Sequence, residues 1–562
     1  MKLSKLFSPV ILLAVVMAAA MSSCSNDETI EGKLKKYVSD DTDIIVALDL
    51  KRSLDAADIT IAESGEIELP DYISDFTKDA FSTSERKALN QLLDFKGVDW
   101  TNTVMGFKLD KKSEDNPFKS GLIIFSIKDT KEFATSLEDL EDSDLELEEE
   151  KEEGFEVISN KHFAILVDGN LGFIAIKKDG PCKASSAAEL INEWKDQASD
   201  NTIADWKLEK FKEEKVARAL INFNNIVGIF DNVAGRSERE SFKALGLDKL
   251  DKATALLTFD LEGETASFDV AMFNKEGGEF EMPGVKVQKL DNSLMAYATE
   301  QDIMAGAIGI ADASAIVKSW AEAALINSSD LAQAKQLAAA LNNSTIFFAA
   351  GPTNGISSFN NPDLGNWHGV LAIHFANTGN ARTLINLLAS SLGDELANDG
   401  NGNMSLNIPT GYTYNPYTYD RVPTSFKTIY IKQDGTDVII SNGVISKSGT
   451  CKLDKKIFEG KSAAFVFAMS KNNSLLSQLN MPFGFEIQGV STKSTGTASV
   501  KLTGVEGKFI PTLFKFIYKN MGSVMGSSDY ADYSDYEYAD SVACEETVAV
   551  EEVAADSVAY AY

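Results

Sequence analysis

One local pattern, an apolar strand that ends at a helix-capping residue, occurs in pairs about 250 residues apart. The offsets within the three pairs are 250, 248 and 246 residues. Such agreement predicts two copies of one module, because self-similarity at a fixed spacing is the sequence signature of repeated architecture. The pairs are 44–48 with Asp49 and 294–298 with Thr299, 121–128 with Asp129 and 369–376 with Asn377, and 215–223 with Asn224 and 461–469 with Ser470.

Each repeated unit is typical of a strand, a capped turn and an amphipathic helix. Asn377 is of a type that accepts hydrogen bonds at a helix start, and Leu384 and Leu388 follow it at helical spacing. The Asp-Gly pairs that begin at Asp168 and Asp434 are typical of hairpin turns. The sequence therefore predicts an α+β fold of two tandem modules, each with a largely antiparallel sheet and helices on one face.

The predicted divisions follow from these patterns. The tripeptide Thr-Ala-Ser lies near the end of each module, at Thr265 and at Thr497. A tail rich in acids and tyrosines, with little aliphatic content, is expected to be disordered. The divisions are a signal peptide at 1–23, a tether at 24–38, modules at 39–285 and 286–525, and the acidic tail at 526–562.

The first residues of the chain predict its location. Lys2 and Lys5 precede an apolar run over 10–20, and small residues lead to Cys24. This order is that of a secretory signal, and a cysteine at its end predicts a lipoprotein whose Cys24 is acylated. The run is shorter than the roughly 20 residues of a membrane-spanning helix, so we expect cleavage and anchoring through acyl chains.

The net charge excludes one class of partner. The formal charge is −31, and two segments, 138–153 and 529–562, contribute −10 each. Nucleic acid is not expected as a partner, because binding to phosphates depends on Lys and Arg. The acidic run 138–153 is interpreted as a solvated or disordered insertion, with calcium bridging to a partner as the alternative.

The cysteines do not predict a disulfide scaffold. Acylation of Cys24 leaves an odd number, and odd counts do not fit a framework of paired bridges. One bridge between Cys182 and Cys451 stays open as an alternative. The three remaining cysteines are Cys182, Cys451 and Cys544.

No catalytic motif occurs in the sequence. Gly460-Lys461-Ser462 lacks the earlier glycine of a phosphate-binding loop, and a strand is predicted after it. The histidines are His162, His368 and His374, and none lies in a metalloprotease motif. We therefore expect no enzyme activity, cofactor or metal, although abundant carboxylates leave glycoside hydrolysis as an alternative.

The second module carries a tyrosine-rich insertion at 393–423, where the first carries its acidic run. Loops on a shared scaffold are where binding specificity diverges. The candidate contact surface presents rings to a sugar or a protein, or else packs them onto its own module. Its residues are Tyr412, Tyr414, Tyr417 and Tyr419.

The lipoprotein signal, the acidic residues just after Cys24 (Ser25-Asn26-Asp27-Glu28) and the duplicated body together resemble a family. They resemble lipoproteins of Bacteroides-type bacteria. The body resembles an uncharacterised family of that group, the domain of unknown function 4836. This resemblance implies export to the outer face of the outer membrane, and it brings no known activity or site. The expected function is non-catalytic binding or assembly at that surface. The alternative is a carboxylate-dependent hydrolase acting on glycans.

Overall fold

The fold is described from a computed structural model of the chain. Residues Met1–Phe516 and Ile517–Tyr562 form two compact units, and the second is described from 517 to 525, the end of its helix. The described residues are 29–61, 67–74, 96–113, 116–139, 148–159, 164–284, 286–322, 326–352, 367–398, 403–414, 421–443, 445, 447, 451–473, 476–477 and 480–525.

The first half of the large unit alternates strands with short helices. Its strands are β1 Ile44–Leu48, β2 Thr60–Ile61, β3 Ile67–Glu68, β4 Val98–Leu109, β5 Phe118–Ile127, β6 Glu148–Glu152, β7 Phe155–Ser159, β8 Ala164–Asp168, β9 Leu171–Lys177, β10 Gly180–Pro181, β11 Ala217–Asn222, β12 Ala253–Glu262 and β13 Thr265–Asn274. Its helices are α1 Ile30–Tyr37, α2 Leu50–Ala56, α3 Thr130–Asp139, α4 Ala184–Asp200, α5 Asp205–Lys210, α6 Phe223–Val233 and α7 Arg236–Ala244, with a 3-10 helix at Leu247–Lys252.

The second half has longer strands and fewer helices. Its strands are β14 Lys286–Val287, β15 Met304–Asp312, β16 Ser344–Pro352, β17 Trp367–His374, β18 Leu396–Asn398, β19 Asn403–Tyr414, β20 Arg421–Asp434, β21 Asp437–Ser441, β22 Ala463–Met469, β23 Gly484–Ser491 and β24 Thr495–Thr503. Its helices are α8 Ser314–Glu322, α9 Ser328–Leu341, α10 Thr378–Leu392 and α11 Phe509–Met525, with 3-10 helices at Asn292–Tyr297, Gly393–Glu395 and Lys455–Phe458.

One sheet contains all of these strands except β2 and β3, and every pairing described within it is antiparallel. The α+β class and the antiparallel sheet are therefore confirmed. In the first half the spatial order is β6-β7-β8-β9-β5-β4-β1-β11-β12-β13. In the second half it is β18-β19-β20-β21-β17-β16-β15-β22-β23-β24.

The halves join where their last strands pair, β13 with β24. In this antiparallel ladder Ser267 lies opposite Ser499, and both end a Thr-Ala-Ser tripeptide. Matching residues of the two halves therefore face each other across the seam. Such self-pairing has the local geometry of a twofold axis.

Helices cover both faces of the sheet, so the expectation of helices on one face is wrong. In β5, Ile124 packs in a cluster with Trp194 of α4, while its neighbour Phe125 packs with Phe133 of α3. Successive strand residues point to opposite faces, so α3 and α4 lie on different sides. A strand buried on both sides reads as a continuous apolar run, which hides the period-two pattern that would have indicated it.

The predicted pair 44–48 and 294–298 is wrong in its second member. Residues Asn292–Tyr297 form a 3-10 helix, with the Asp291 side chain accepting a hydrogen bond from the Ser293 N–H. A short apolar run does not distinguish a buried helical turn from a strand. The strand that occupies the position of β1 in the second half is β15.

Three of the six predicted helix caps are confirmed by side-chain hydrogen bonds, those of Asp49, Asp129 and Asn377. Asn224 lies inside α6, so its capping role is wrong. Thr299 bonds instead to Asp302 in the turn before β15. Ser470 follows β22 and accepts through its backbone oxygen from the Asn473 N–H.

The predicted turns at Asp168-Gly169 and Asp434-Gly435 are confirmed, with positive φ at both glycines.

The structure also bears on the predicted tether, the possible disulfide and the acidic run. Within the predicted tether, Ile30–Tyr37 forms α1, whose Leu34 and Tyr37 are buried, so this part belongs to the body. Cys182 and Cys451 are both free, which excludes the bridge between them. Part of the acidic run forms β6, while residues 140–147, the signal peptide and the tail at 526–562 lie outside the described residues.

Candidate binding surfaces

The tyrosine-rich insertion contains a long hairpin. Tyr412 and Tyr414 lie in β19, which pairs with β20 through registers such as Tyr412 opposite Pro423. The expectation of a loop is therefore wrong for the described part, because alternating β-branched and aromatic residues favour strands. Cys24, Tyr417 and Tyr419 lie outside the described residues.

This hairpin extends past its neighbours. Strand β18 pairs with β19 at residues 404–406, and β21 pairs with β20 at residues 430–434. Beyond those registers, residues 407–414 and 421–429 pair with each other, and we call them the hairpin arm. A two-stranded ribbon has little stability of its own in water, so packing at its base positions the arm.

Exposed apolar side chains are concentrated along this hairpin. Phe426 is 59% exposed and Tyr412 is 49% exposed. Phe426 and Tyr430 are four residues apart on β20 with an unbroken register between them, so they share one face. Val422 is also exposed and lies beyond the irregularity of the ladder at Gly411. Ile408 and Tyr412 are exposed on β19. The Arg421 guanidinium lies 5.2 Å from the centre of the Tyr412 ring, a cation–π contact that orients the ring.

The hairpin differs in charge from the chain as a whole. Residues 403–434 contain two acids, Asp420 and Asp434, and three bases, Arg421, Lys427 and Lys432. Proline lacks a backbone N–H, so Pro409 and Pro423 make the hairpin a poor template for a further strand. A partner is therefore expected to contact side chains rather than the backbone edge.

A second apolar surface lies on the sheet near the seam. One row across four strands runs Phe268, Ala498, Gly489, Phe465, with each residue opposite the next. The row forms part of a groove of about 580 Å³, which we call the trough. Its lining includes Ser491 and Thr497 and no ionisable side chain. No sequence pattern predicted this surface, because the residues converge through the register of distant strands.

The second half also contains a polar cluster around Asp437, at the start of β21. Its carboxylate accepts from His374 Nδ1 at 2.7 Å and from the Tyr297 hydroxyl at 3.2 Å. Asp291 lies 3.6 Å from the other ring nitrogen of His374, and Lys447 lies 3.5 Å from Asp437. Burial raises the pKa of Tyr297, so its hydroxyl stays protonated and donates.

A further polar pair, His368 with Asp302, faces the core at 3.3 Å between Nδ1 and Oδ1. Nearby, burial raises the pKa of the Cys451 thiol, as it does for Cys182 in the first half. A protonated thiol is a poor nucleophile. Within the described residues, no group of three or more His, Cys, Asp or Glu side chains is placed to hold a metal ion.

The comparisons with known proteins do not identify a family. No family model and no curated protein matches the chain. A solved structure, crystal form IV of TP0453, is similar with a TM-score of 0.25 and 11% identity, over 43% of this chain and 79% of that one. None of the helices in the described part of the chain is long and apolar enough to cross a membrane.

Proposed function

We propose that this chain is a lipid-anchored envelope protein that binds a ligand without catalysis at the outer membrane surface. Acyl chains on Cys24 provide the anchor, and the hairpin arm provides the contact. The body consists of two copies of one α+β module, in which the second copy elaborates the hairpin.

The distribution of exposed apolar side chains carries this proposal. Nine of the fourteen large ones in the described residues lie either on the β19–β20 hairpin or in the lining of the trough. Scattered apolar residues are normal on protein surfaces, whereas contiguous patches mark interaction sites. The hairpin set is Ile408, Tyr412, Val422, Phe426 and Tyr430.

The chemistry of the arm favours a ligand with flat apolar faces. Tyrosine rings present area for stacking at a low entropy cost and keep a hydroxyl for hydrogen bonds. Sugar rings and protein side chains both offer such faces. The excess of bases over acids suits a ligand that carries negative charge.

The proposed duplication is supported by the matching strand orders and by the seam. Residues that match in sequence, Ser267 and Ser499, lie opposite each other. The strands predicted at 121–128 and 369–376 occupy the same place in the two orders, as β5 and β17.

The test of binding uses the mature chain on glycan and envelope-protein arrays. Changing Tyr412, Tyr414, Tyr417 and Tyr419 together to alanine is expected to reduce retention at least tenfold, since each stacked ring contributes about 1 kcal/mol. The matched control is Trp320→Ala, because Trp320 is 47% exposed on α8, outside the hairpin. Equal binding by both variants contradicts the arm as contact surface, and turnover of a glycan supports the hydrolase instead.

The anchor has a separate test. Cys24→Ala is expected to move the protein from membrane to soluble fractions, because acyl chains can no longer attach. Protease treatment of intact cells then reports the face on which the protein lies. Continued membrane retention of the Cys24→Ala protein argues against acylation at that residue.

A further inference from the structure

The trough has a floor of small residues between two aromatic side chains. Gly489 and Ala498 separate Phe268 from Phe465 along one row of the sheet. A Cβ added at Gly489 would meet no heavy atom within 4 Å, so the space above the floor is open. Phe268 is 42% exposed and Phe465 is 36% exposed, and both rings stand beside this open floor.

The dimensions of the trough limit what fits. Phe268 and Phe465 are three strand spacings apart, or about 14 Å between backbones. Their rings narrow that distance further. An α-helix with its side chains is about 10–12 Å wide, which leaves no room for it to reach the floor. A single hydrocarbon chain is much thinner and does fit.

The lack of charge in the lining also favours a hydrocarbon chain. The chain carries a formal charge of −31, yet the trough lining has no ionisable group. Burying a charged group there would cost free energy without a partner to compensate it. The complementary ligand segment is therefore uncharged and apolar, and its contact area determines affinity.

We infer that the trough binds the hydrocarbon chain of a lipid. The occupant lies along the floor of Gly489, Gly496 and Ala498, between Phe268 and Phe465, and its head group stays in solvent. This site is separate from the hairpin arm and does not depend on the ligand of the arm.

The test measures displacement of the neutral dye Nile red from the full mature chain by monoacylglycerols from octanoyl to palmitoyl. Each added methylene that the trough buries is expected to lower Kd about fourfold. Gly489→Leu fills the floor and is expected to abolish both dye and lipid binding. Gly369→Leu is the matched control, since Gly369 is also a strand glycine with open space above it, on β17 outside the trough.

Several outcomes overturn the inference. These are a Kd independent of chain length, equal binding by Gly489→Leu, or equal loss with Gly369→Leu. Thermal unfolding checks both variants. If Gly489→Leu fails to fold, Ser491→Asp places a charge in the lining and is expected to remove binding. Light scattering tests a second copy as occupant, and a dimer that Gly489→Leu dissociates also overturns the inference.

Discussion

Equivalent positions in the two halves of the sheet carry side chains of different chemistry. In the first half Ser126 lies opposite Leu171, and in the second His374 lies opposite Asp437. A tyrosine ends the helix before β1 and the 3-10 helix before β15, the strand that occupies the position of β1 in the second half. These residues are Tyr37 and Tyr297. Tyr37 packs in an apolar cluster with Leu171, whereas Tyr297 donates to the Asp437 carboxylate. The backbone register fixes which positions meet, and the side chains decide between burial and hydrogen bonding.

At another pair of equivalent strands, β12 and β23, the first half has the ionic contact and the second half does not. In the first half Asp260 on β12 lies opposite Ser267 and binds Arg52 of α2 at 2.8 Å. In the second half the residue opposite Ser499 is Gln488, which is neutral. Ionic contacts are therefore placed independently in the two halves, as expected where each half adapts its own surface and core.

The largest expected effect comes from Asp437→Leu. This change leaves the Tyr297 hydroxyl and His374 without their acceptor, which is expected to cost about 3 kcal/mol of unfolding free energy. Adding His374→Ser installs the side chains of the first half and is expected to recover most of the loss. Urea unfolding measures both variants. A single-variant loss below about 0.5 kcal/mol, as for ordinary surface changes, would show that the cluster stabilises nothing.

A smaller effect is expected from Asp260→Asn, about 2 kcal/mol, because Asp260 is buried while Arg52 is partly exposed. Burial alone raises the pKa of Asp260, but hydrogen bonds from Arg52 and Lys215 outweigh it and hold the pKa below its ordinary value. A lowered folded pKa stabilises the fold above the unfolded pKa of about 4, and this stabilisation disappears as the pH falls through the folded pKa.

The measurement for Asp260 is unfolding free energy against pH for both proteins. The difference between wild type and Asp260→Asn is expected to be full at neutral pH and to shrink in acid. Asp434→Asn is the control, since Asp434 is exposed and lies 3.9 Å from Lys447. A difference that does not change with pH contradicts the ionic interpretation.

The smallest losses of stability are expected at the helix caps, a feature that the two halves share. Asp129→Ala and Asn377→Ala each remove a side-chain cap and are expected to cost about 1 kcal/mol. Lys183→Ala is the control, because Lys183 occupies the cap position of α4 without a side-chain hydrogen bond. Thermal unfolding compares the three variants. Unequal losses at Asp129 and Asn377 would mean that the matched positions are not energetically equivalent.

Local patterns predicted the elements whose signals are local. The caps at Asp129 and Asn377 and the Asp-Gly turns depend on a few adjacent residues. The sequence does not predict strand β15, because this segment is rich in Gly and Ala and has only two β-branched residues, Ile308 and Ile310, and no aromatic one. The apolar run over 294–298 predicts a strand where the structure has the 3-10 helix Asn292–Tyr297, because a short apolar run has no unique period.

Among the candidate surfaces, too, the sequence indicates those with a local signal and not those that depend on distant strands. The sequence pattern singles out Tyr412, which the structure leaves exposed, and its role in contact stays a prediction. The trough depends on Phe268 and Phe465, almost 200 residues apart in sequence, lying in one row across four strands. The Asp437 cluster depends on Tyr297, 140 residues away. Such contacts are set by register, which a single sequence does not specify over these separations.

The seam between β13 and β24 also limits aggregation. An unpaired sheet edge is a template for other chains, and two separate modules would each expose an additional one. Because the last strands pair with each other, the two strand orders end at β6, with four glutamates in five residues, and at β18, three residues long. Strands β10 and β14, each with one partner, have only two residues. Like charge and short length both discourage fibrous growth.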